Sequence, residues 1–229
     1  MIAWLRMGVL LLVALTLTRF IPFSAFFRNV NTLVHEAAHA AVTLLLSGKV
    51  MYIHLFADQS GVTYSAVTDN WMTIPISLAG YPGSALFAML LFRLYAVKRE
   101  RFGLIVIAAI AVLSLILFVR NGYGLIWCAG FAIITVMISF ASAGWLRSGY
   151  YLLIAFICLV ESVVSAMTIV WIAVMDPAGA GDAANLASVL IVPAPVWAVG
   201  FLLFALLCAK RSATLLVRAR PARQPASPK

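Results

Sequence analysis

The chain has 229 residues, 65% of them hydrophobic and 10% charged, with a mean hydropathy of +1.08. Soluble domains run at about 45–50% apolar and about 25% charged, so this composition excludes an ordinary soluble fold and indicates a polytopic membrane protein. The formal charge of +9 sits in short clusters between apolar runs and in the C-terminal tail, where it sets orientation and meets anionic headgroups rather than marking a nucleic-acid binder.

Apolar runs of spanning length divide nearly the whole chain. The first, about residues 2–20, carries Arg6 and resembles a signal peptide. No small-residue cleavage site follows, however, because Phe20-Ile21-Pro22-Phe23 continues the apolar stretch, so it reads as a retained span. The second run, about 29–46, ends at Ser47-Gly48, where Gly48 suits a helix C-cap. Residues 49–67 then change character. Two β-rich stretches, 50–56 and 62–67, flank the polar turn Asp58-Gln59-Ser60-Gly61 and predict a hairpin.

The third run, 71–95, is interrupted midway by Gly80-Tyr81-Pro82-Gly83, a candidate kink or hinge, and is closed by Lys98-Arg99-Glu100-Arg101. Further spans cover about 102–119, 125–143 and 150–174. A Gly/Ala loop from Asp176 to Gly181 precedes a short apolar stretch, 182–191, and the last span covers about 196–209. The expected fold is an all-α polytopic membrane bundle of about seven transmembrane helices, with a small β-hairpin after the second. It forms one domain over residues 1–210, followed by a basic, Pro/Ala-rich tail, 211–229, with the composition of a disordered segment.

Alternating spans place Arg19/Arg28, Lys98/Arg99/Arg101, Arg147 and Lys210/Arg211 on one side, and mainly Lys49 and Arg120 on the other. The positive-inside rule then predicts a cytoplasmic C-terminus. Cys128, Cys158 and Cys208 lie in separate apolar runs and read as small hydrophobes, not as a disulfide framework or a metal site.

The second span contains His35-Glu36-Ala37-Ala38-His39, which holds two of the chain's three histidines. Residues i and i+4 share one helix face, so His35 and His39 can offer their imidazoles to a single zinc ion. Glu36 lies about 100° around the helix, in reach of water at that ion without being forced to ligate it, and fits the role of general base. A purely structural role is disfavoured, because each ionisable group inside a span costs about 2.5–3.5 kcal/mol on insertion scales. A third ligand is required. Asp58 and Asp69 belong to the hairpin region and Glu100 to a basic loop, which leaves Glu161, Asp176 and Asp182. Asp182 could equally be a helix N-cap, and spacing alone does not choose among the three.

From about Asn31 to Ala209 the chain resembles the membrane-embedded zinc metalloproteases of the site-2 protease type, in their short bacterial branch. The resemblance rests on an ordered series of short segments. The histidine helix runs into Gly48-Lys49-Val50, and Ser60-Gly61-Val62-Thr63 lies in the hairpin. Leu78-Ala79-Gly80-Tyr81-Pro82-Gly83 and Arg120-Asn121-Gly122-Tyr123-Gly124 come next. Asp182-Ala183 with Leu186-Ala187, then Pro195-Val196-Trp197, complete it. The family's late aspartate matches Asp182, although Ala183 stands where better-known members carry glycine. The resemblance implies one zinc ion on His35, His39 and Asp182, with Glu36 as catalytic base. It also implies hydrolysis of peptide bonds in or near membrane segments of a protein or peptide substrate, and residence in a bacterial cytoplasmic membrane. Asp182 can reach the histidines only if 182–191 dips into the bundle as a half-helix. The hairpin then offers a strand edge, from 50–56 or 62–67, to an extended substrate. A non-proteolytic membrane protein using the same residues for metal binding, transport or scaffolding is the competing expectation. His54 and Asn121 are expected to be structural.

Overall fold

A computed structural model describes residues 24–218, together with Leu12 and Thr16. Those two positions apart, the first predicted span and the tail from residue 219 lie outside the described residues. Helix α1 (Ser24–Leu45) leads into strands β1 (Lys49–Leu55) and β2 (Gly61–Ala66). A 3-10 turn (Asn70–Met72) opens α2 (Thr73–Ala96), followed by α3 (Glu100–Leu117), α4 (Gly122–Phe140) and the 32-residue α5 (Gly144–Met175). A second 3-10 turn (Pro177–Gly179) precedes the nine-residue α6 (Gly181–Val189) and then α7 (Ala194–Arg218).

Five of these helices, α2, α3, α4, α5 and α7, are long and apolar enough to cross a membrane. The protein is an all-α polytopic membrane bundle with one small hairpin, and each predicted span within the described residues corresponds to a helix. Two boundaries differ. Helix α7 continues through residues 211–218, so the predicted tail does not begin at the end of the bundle. The run 71–95 is also not broken at Gly80–Gly83, because α2 is continuous with Pro82 inside it.

Helix α1 has 22 residues but carries Arg28, His35, Glu36 and His39, and it is not among the five apolar spans. Hydrocarbon offers no partners for polar groups, so they must be met within the protein. The bundle supplies many of them. Arg28 Nε donates to Glu161 Oε1 on α5 at 2.8 Å, and Asn29 Nδ2 donates to the Tyr123 hydroxyl on α4 at 2.6 Å. Trp127 Nε1 donates to the Phe26 carbonyl at 2.8 Å. Val30 and Leu33 of α1 are fully buried in the same apolar cluster as Ile154, Ile157 and Leu159 of α5 and Phe131 of α4.

Helix α1 ends differently from expectation. Ser47, not Gly48, adopts the left-handed conformation (φ 61°). Gly48 is needed for space: a Cβ there would come within 2.9 Å of Thr43 Cγ2 and 3.0 Å of the Thr43 carbonyl oxygen.

The hairpin strands are antiparallel, with Ile53 opposite Thr63, Leu55 opposite Gly61, and a bulge between Val50 and Tyr52. Strand β1 is held on both edges. Ile53 N–H donates to the Phe118 carbonyl at 2.9 Å, and its own carbonyl accepts from Arg120 N–H at 3.2 Å. The Asn121 side chain continues this ladder, accepting from Leu55 N–H at 3.1 Å and donating to the Leu55 carbonyl at 2.6 Å. Where a residue of an antiparallel pair turns its backbone groups away from its partner, the partner does likewise. Thr63 and Gly61 therefore direct theirs to the outer edge of β2, which has no strand partner among the described residues.

Candidate metal centre

Helix α1 places His35 and His39 one turn apart, with their Nε2 atoms 3.0 Å from each other. His39 Nδ1 lies 2.7 Å from the Ile76 carbonyl of α2. A carbonyl can only accept, so Nδ1 carries a proton, and in a neutral ring this tautomer leaves the Nε2 lone pair available on the side of His35. Asp182, at the start of α6, brings Oδ2 to 3.2 Å from both Nε2 atoms. The nine-residue α6 carries Asp182 to this position. Ala180, Ala183 and Leu186 are fully buried against Ile169 and Ala173 of α5 and Ala198 and Phe201 of α7. Gly181 turns the chain into α6 at φ +46°, a conformation that favours glycine.

These three donor atoms fit a metal. Tetrahedral ligands about 2.0–2.1 Å from zinc are separated by about 3.3–3.4 Å, close to the triangle of 3.0, 3.2 and 3.2 Å observed. Asp182 Oδ2 is a buried oxygen without a hydrogen bond of its own. Lone pairs converging on one buried point repel unless a proton or cation lies among them. His35, His39 and Asp182 form the only such three-donor group among the described residues.

The other two acids considered as ligands lie elsewhere. Glu161 is engaged by Arg28, and the Asp176 carboxylate packs against Gly179 in the 3-10 turn. His54 stacks on Tyr52 with ring centroids 4.5 Å apart, within the hairpin and outside the donor group.

Glu36 is 4% exposed. Its Oε2 accepts a 2.7 Å hydrogen bond from Thr63 Oγ1, which lies 3.1 Å from the Glu36 carbonyl as well. Gly61, Thr63 and Ser65 all face α1: a Cβ on Gly61 would stand 2.9 Å from Glu36 Oε1, and the Ser65 and Thr43 hydroxyls are 2.9 Å apart. One cavity of about 390 Å³ opens between this edge of β2, Ser77 of α2, and Asp182 and Asn185 of α6. A second, of about 380 Å³, extends past Arg28, Asn31 and Glu161. Both share His35, Glu36, Gly61 and Tyr81 as walls, so the site is reached from two directions.

Sequence reasoning missed three positions. Gly80 lets α2 pass over the histidines: a Cβ there would lie 2.5 Å from His35 Nε2 and 2.5 Å from His39 Nε2. Tyr81 sets its ring edge-on to His35 at 4.7 Å and stacks on Phe201 at 5.0 Å, bracing the histidine against α7. Thr63 holds the glutamate. The Gly-Tyr-Pro-Gly run was visible as a break in a hydrophobic pattern; its role as a close approach was not.

A membrane bundle carrying a largely buried His-His-Asp group beside a glutamate, with cavities leading to both, has the architecture of a membrane metallohydrolase. The family model described as Peptidase M50B-like matches residues 7–210, and the chain belongs to that peptidase family. No curated protein and no solved structure matches it.

Replacing Gly80 by alanine is expected to displace the imidazoles. Divalent-metal binding by the detergent-purified protein should fall at least about tenfold, as for loss of a supporting partner of a metal ligand. Gly130→Ala, whose Cβ would meet open space, should leave metal binding unchanged in the same titration.

Proposed function

We propose that the protein is a zinc endopeptidase that hydrolyses peptide bonds in or near membrane segments of substrate proteins. The single observation that carries this reading is the convergence of His35 Nε2, His39 Nε2 and Asp182 Oδ2 at 3.0–3.2 Å beside a buried glutamate. Family membership supports the peptidase class.

One zinc ion held by His35, His39 and Asp182 would lower the pKa of water and polarise a carbonyl there. The remaining steps belong to the chain's own residues. The Glu36 carboxylate takes a proton from the attacking water, whose hydroxide adds to the scissile carbonyl carbon. As the C–N bond breaks, Glu36 passes that proton to the departing amine nitrogen. Thr63 restrains Oε2 of Glu36, leaving Oε1 as the oxygen to exchange the proton. The Ile76 carbonyl keeps the His39 tautomer that leaves Nε2 unprotonated.

The outer edge of β2 receives the substrate. A peptide drawn into extended form can pair with the outward N–H and C=O groups of Thr63 and its alternate neighbours, because β1 is already engaged on both sides. That narrows the substrate strand to β2 and lays the scissile bond alongside Glu36. The basic clusters support an orientation with the C-terminal end of the bundle at the cytoplasmic face, and the family resemblance supports a bacterial membrane.

Zinc determination on the purified protein tests the ligand set. One zinc per chain is expected for the wild type and for Glu161→Ala, with His39→Ala and Asp182→Ala weakening affinity by more than about 100-fold. Zinc retained by Asp182→Ala but lost from Glu161→Ala would reverse the assignment. Glu36→Gln keeps the size of the side chain and removes its basicity. It should bind zinc normally while cleaving any susceptible membrane peptide about 10²–10⁴-fold more slowly, and full activity in this variant would rule out the mechanism. Proline is tolerated on an edge strand but lacks the N–H, so Ser65→Pro is expected to raise KM about tenfold. Ser65→Ala, which keeps that N–H, should not.

A further inference from the structure

The two cavities of the site meet at four shared walls, His35, Glu36, Gly61 and Tyr81. His35 gives its Nε2 to the donor group, Glu36 is an acceptor held by Thr63, and Gly61 has no side chain. Tyr81 is therefore the wall that brings an O–H to this junction. Its ring is fixed on two sides, edge-on to His35 at 4.7 Å and stacked on Phe201 at 5.0 Å. The hydroxyl, by contrast, makes no hydrogen bond among the described residues. It is not one of their sealed, unpartnered polar atoms either, so it opens onto the cavities that the ring lines. The Asp182 and Glu36 carboxylates both act on it through space. Nearby donors are already used: Thr63 Oγ1 donates to Glu36, and Arg28 pairs with Glu161. Tyr81 thus combines a held ring with an unused O–H.

We infer that Tyr81 is a further catalytic residue, its O–H donating a hydrogen bond to the oxyanion that forms on the scissile carbonyl. The inference rests on the peptidase reading above and adds a group which that reading leaves out. When the hydroxide oxygen bonds to the carbonyl carbon, the C=O π pair moves onto the carbonyl oxygen, which becomes negative. The phenol keeps its proton, which it ordinarily loses only near about pH 10, and shares it with that oxygen as a hydrogen bond. As the C–N bond breaks, the pair returns to re-form C=O. The hydrogen bond is strongest where the negative charge peaks, so it stabilises the transition state more than the bound substrate. Asp182 and Glu36 cannot serve here, because carboxylate lone pairs repel an oxyanion. Bracing His35 alone would need no hydroxyl, since a phenylalanine ring makes the same edge and stacking contacts.

Tyr81→Phe keeps the ring and removes the O–H. Three quantities are measured on the full chain in detergent: zinc content, cleavage of a membrane peptide that the wild type cleaves, and affinity for the phosphinic analogue of that peptide. The phosphinate puts a tetrahedral, negatively charged centre where the oxyanion would stand. Zinc should remain at one per chain and KM within about twofold, while kcat falls about 10²–10³-fold, as for loss of one oxyanion donor. Affinity for the phosphinic peptide should fall as well, by at least about tenfold. A kcat within about twofold of the wild type would overturn the proposal. So would loss of zinc from the variant, which would make the hydroxyl structural, or a phosphinic peptide bound as tightly as by the wild type. Glu36→Gln separates the two claims. If it is inactive while Tyr81→Phe is fully active, the peptidase reading stands and only the role of Tyr81 fails. Full activity of Glu36→Gln, or a wild type that cleaves no membrane peptide, would remove that reading and this role with it.

Discussion

The close approach of α1 to α2 at Gly80 is the constraint on which the rest of the site depends. With no side chain at that position, α2 lies directly over the His35 and His39 rings, and the next turn back supplies the Ile76 carbonyl that orients His39. The same approach carries Tyr81 onto the edge of His35 and into a stack with Phe201 of α7. Helix α6 is then held between α5 and α7 by small buried residues, and only Asp182 reaches the two Nε2 atoms. The missing Cβ at Gly80 thus makes room for α2 over the imidazoles, while packing on α5 and α7 sets the position of Asp182.

A polar helix inside a membrane bundle needs partners for its polar groups, and α1 finds many of them in sections. Arg28, Asn29 and the Phe26 carbonyl are met by α5 and α4, while Glu36 and Thr43 are met by β2. The hairpin therefore has two duties. One face of β2 closes off the buried glutamate, and its outer edge, which has no strand partner among the described residues, borders the cavity. That edge stays available because residues 118–121 have taken the opposite edge of β1, with the Asn121 amide standing in for a strand residue. Asn121 was expected to be structural, and the structure explains why a residue remote from the chemistry sits in that series of segments.

Much of the fold was legible because its signals are local. Spanning runs, the alternation of the hairpin and the i, i+4 spacing of His35 and His39 all repeat over one or two turns of backbone. The hairpin's place was legible for the same reason, although its second strand begins at Gly61, a residue that the sequence assigns to the turn. Gly48 misled because the left-handed cap could be supplied by its neighbour Ser47, while Gly48 answered a contact with Thr43. The Gly80–Gly83 run misled in the same way: its glycines read as a weakness along α2, whereas they admit α1 alongside it.

By itself the sequence determined a membrane bundle, a hairpin after the histidine helix, and two imidazoles with a glutamate on one helix, since each follows from the period of a single element. Its resemblance to a family singled out Asp182 from Glu161 and Asp176. Only the tertiary structure decided that Glu161 pairs with Arg28, that Asp182 meets both histidines, that Thr63 holds Glu36 and that residues 118–121 take the far edge of β1. Each of these is a contact between segments distant in sequence. Such contacts depend on how closely helices can approach and on which buried polar groups remain to be satisfied, and no local periodicity encodes either.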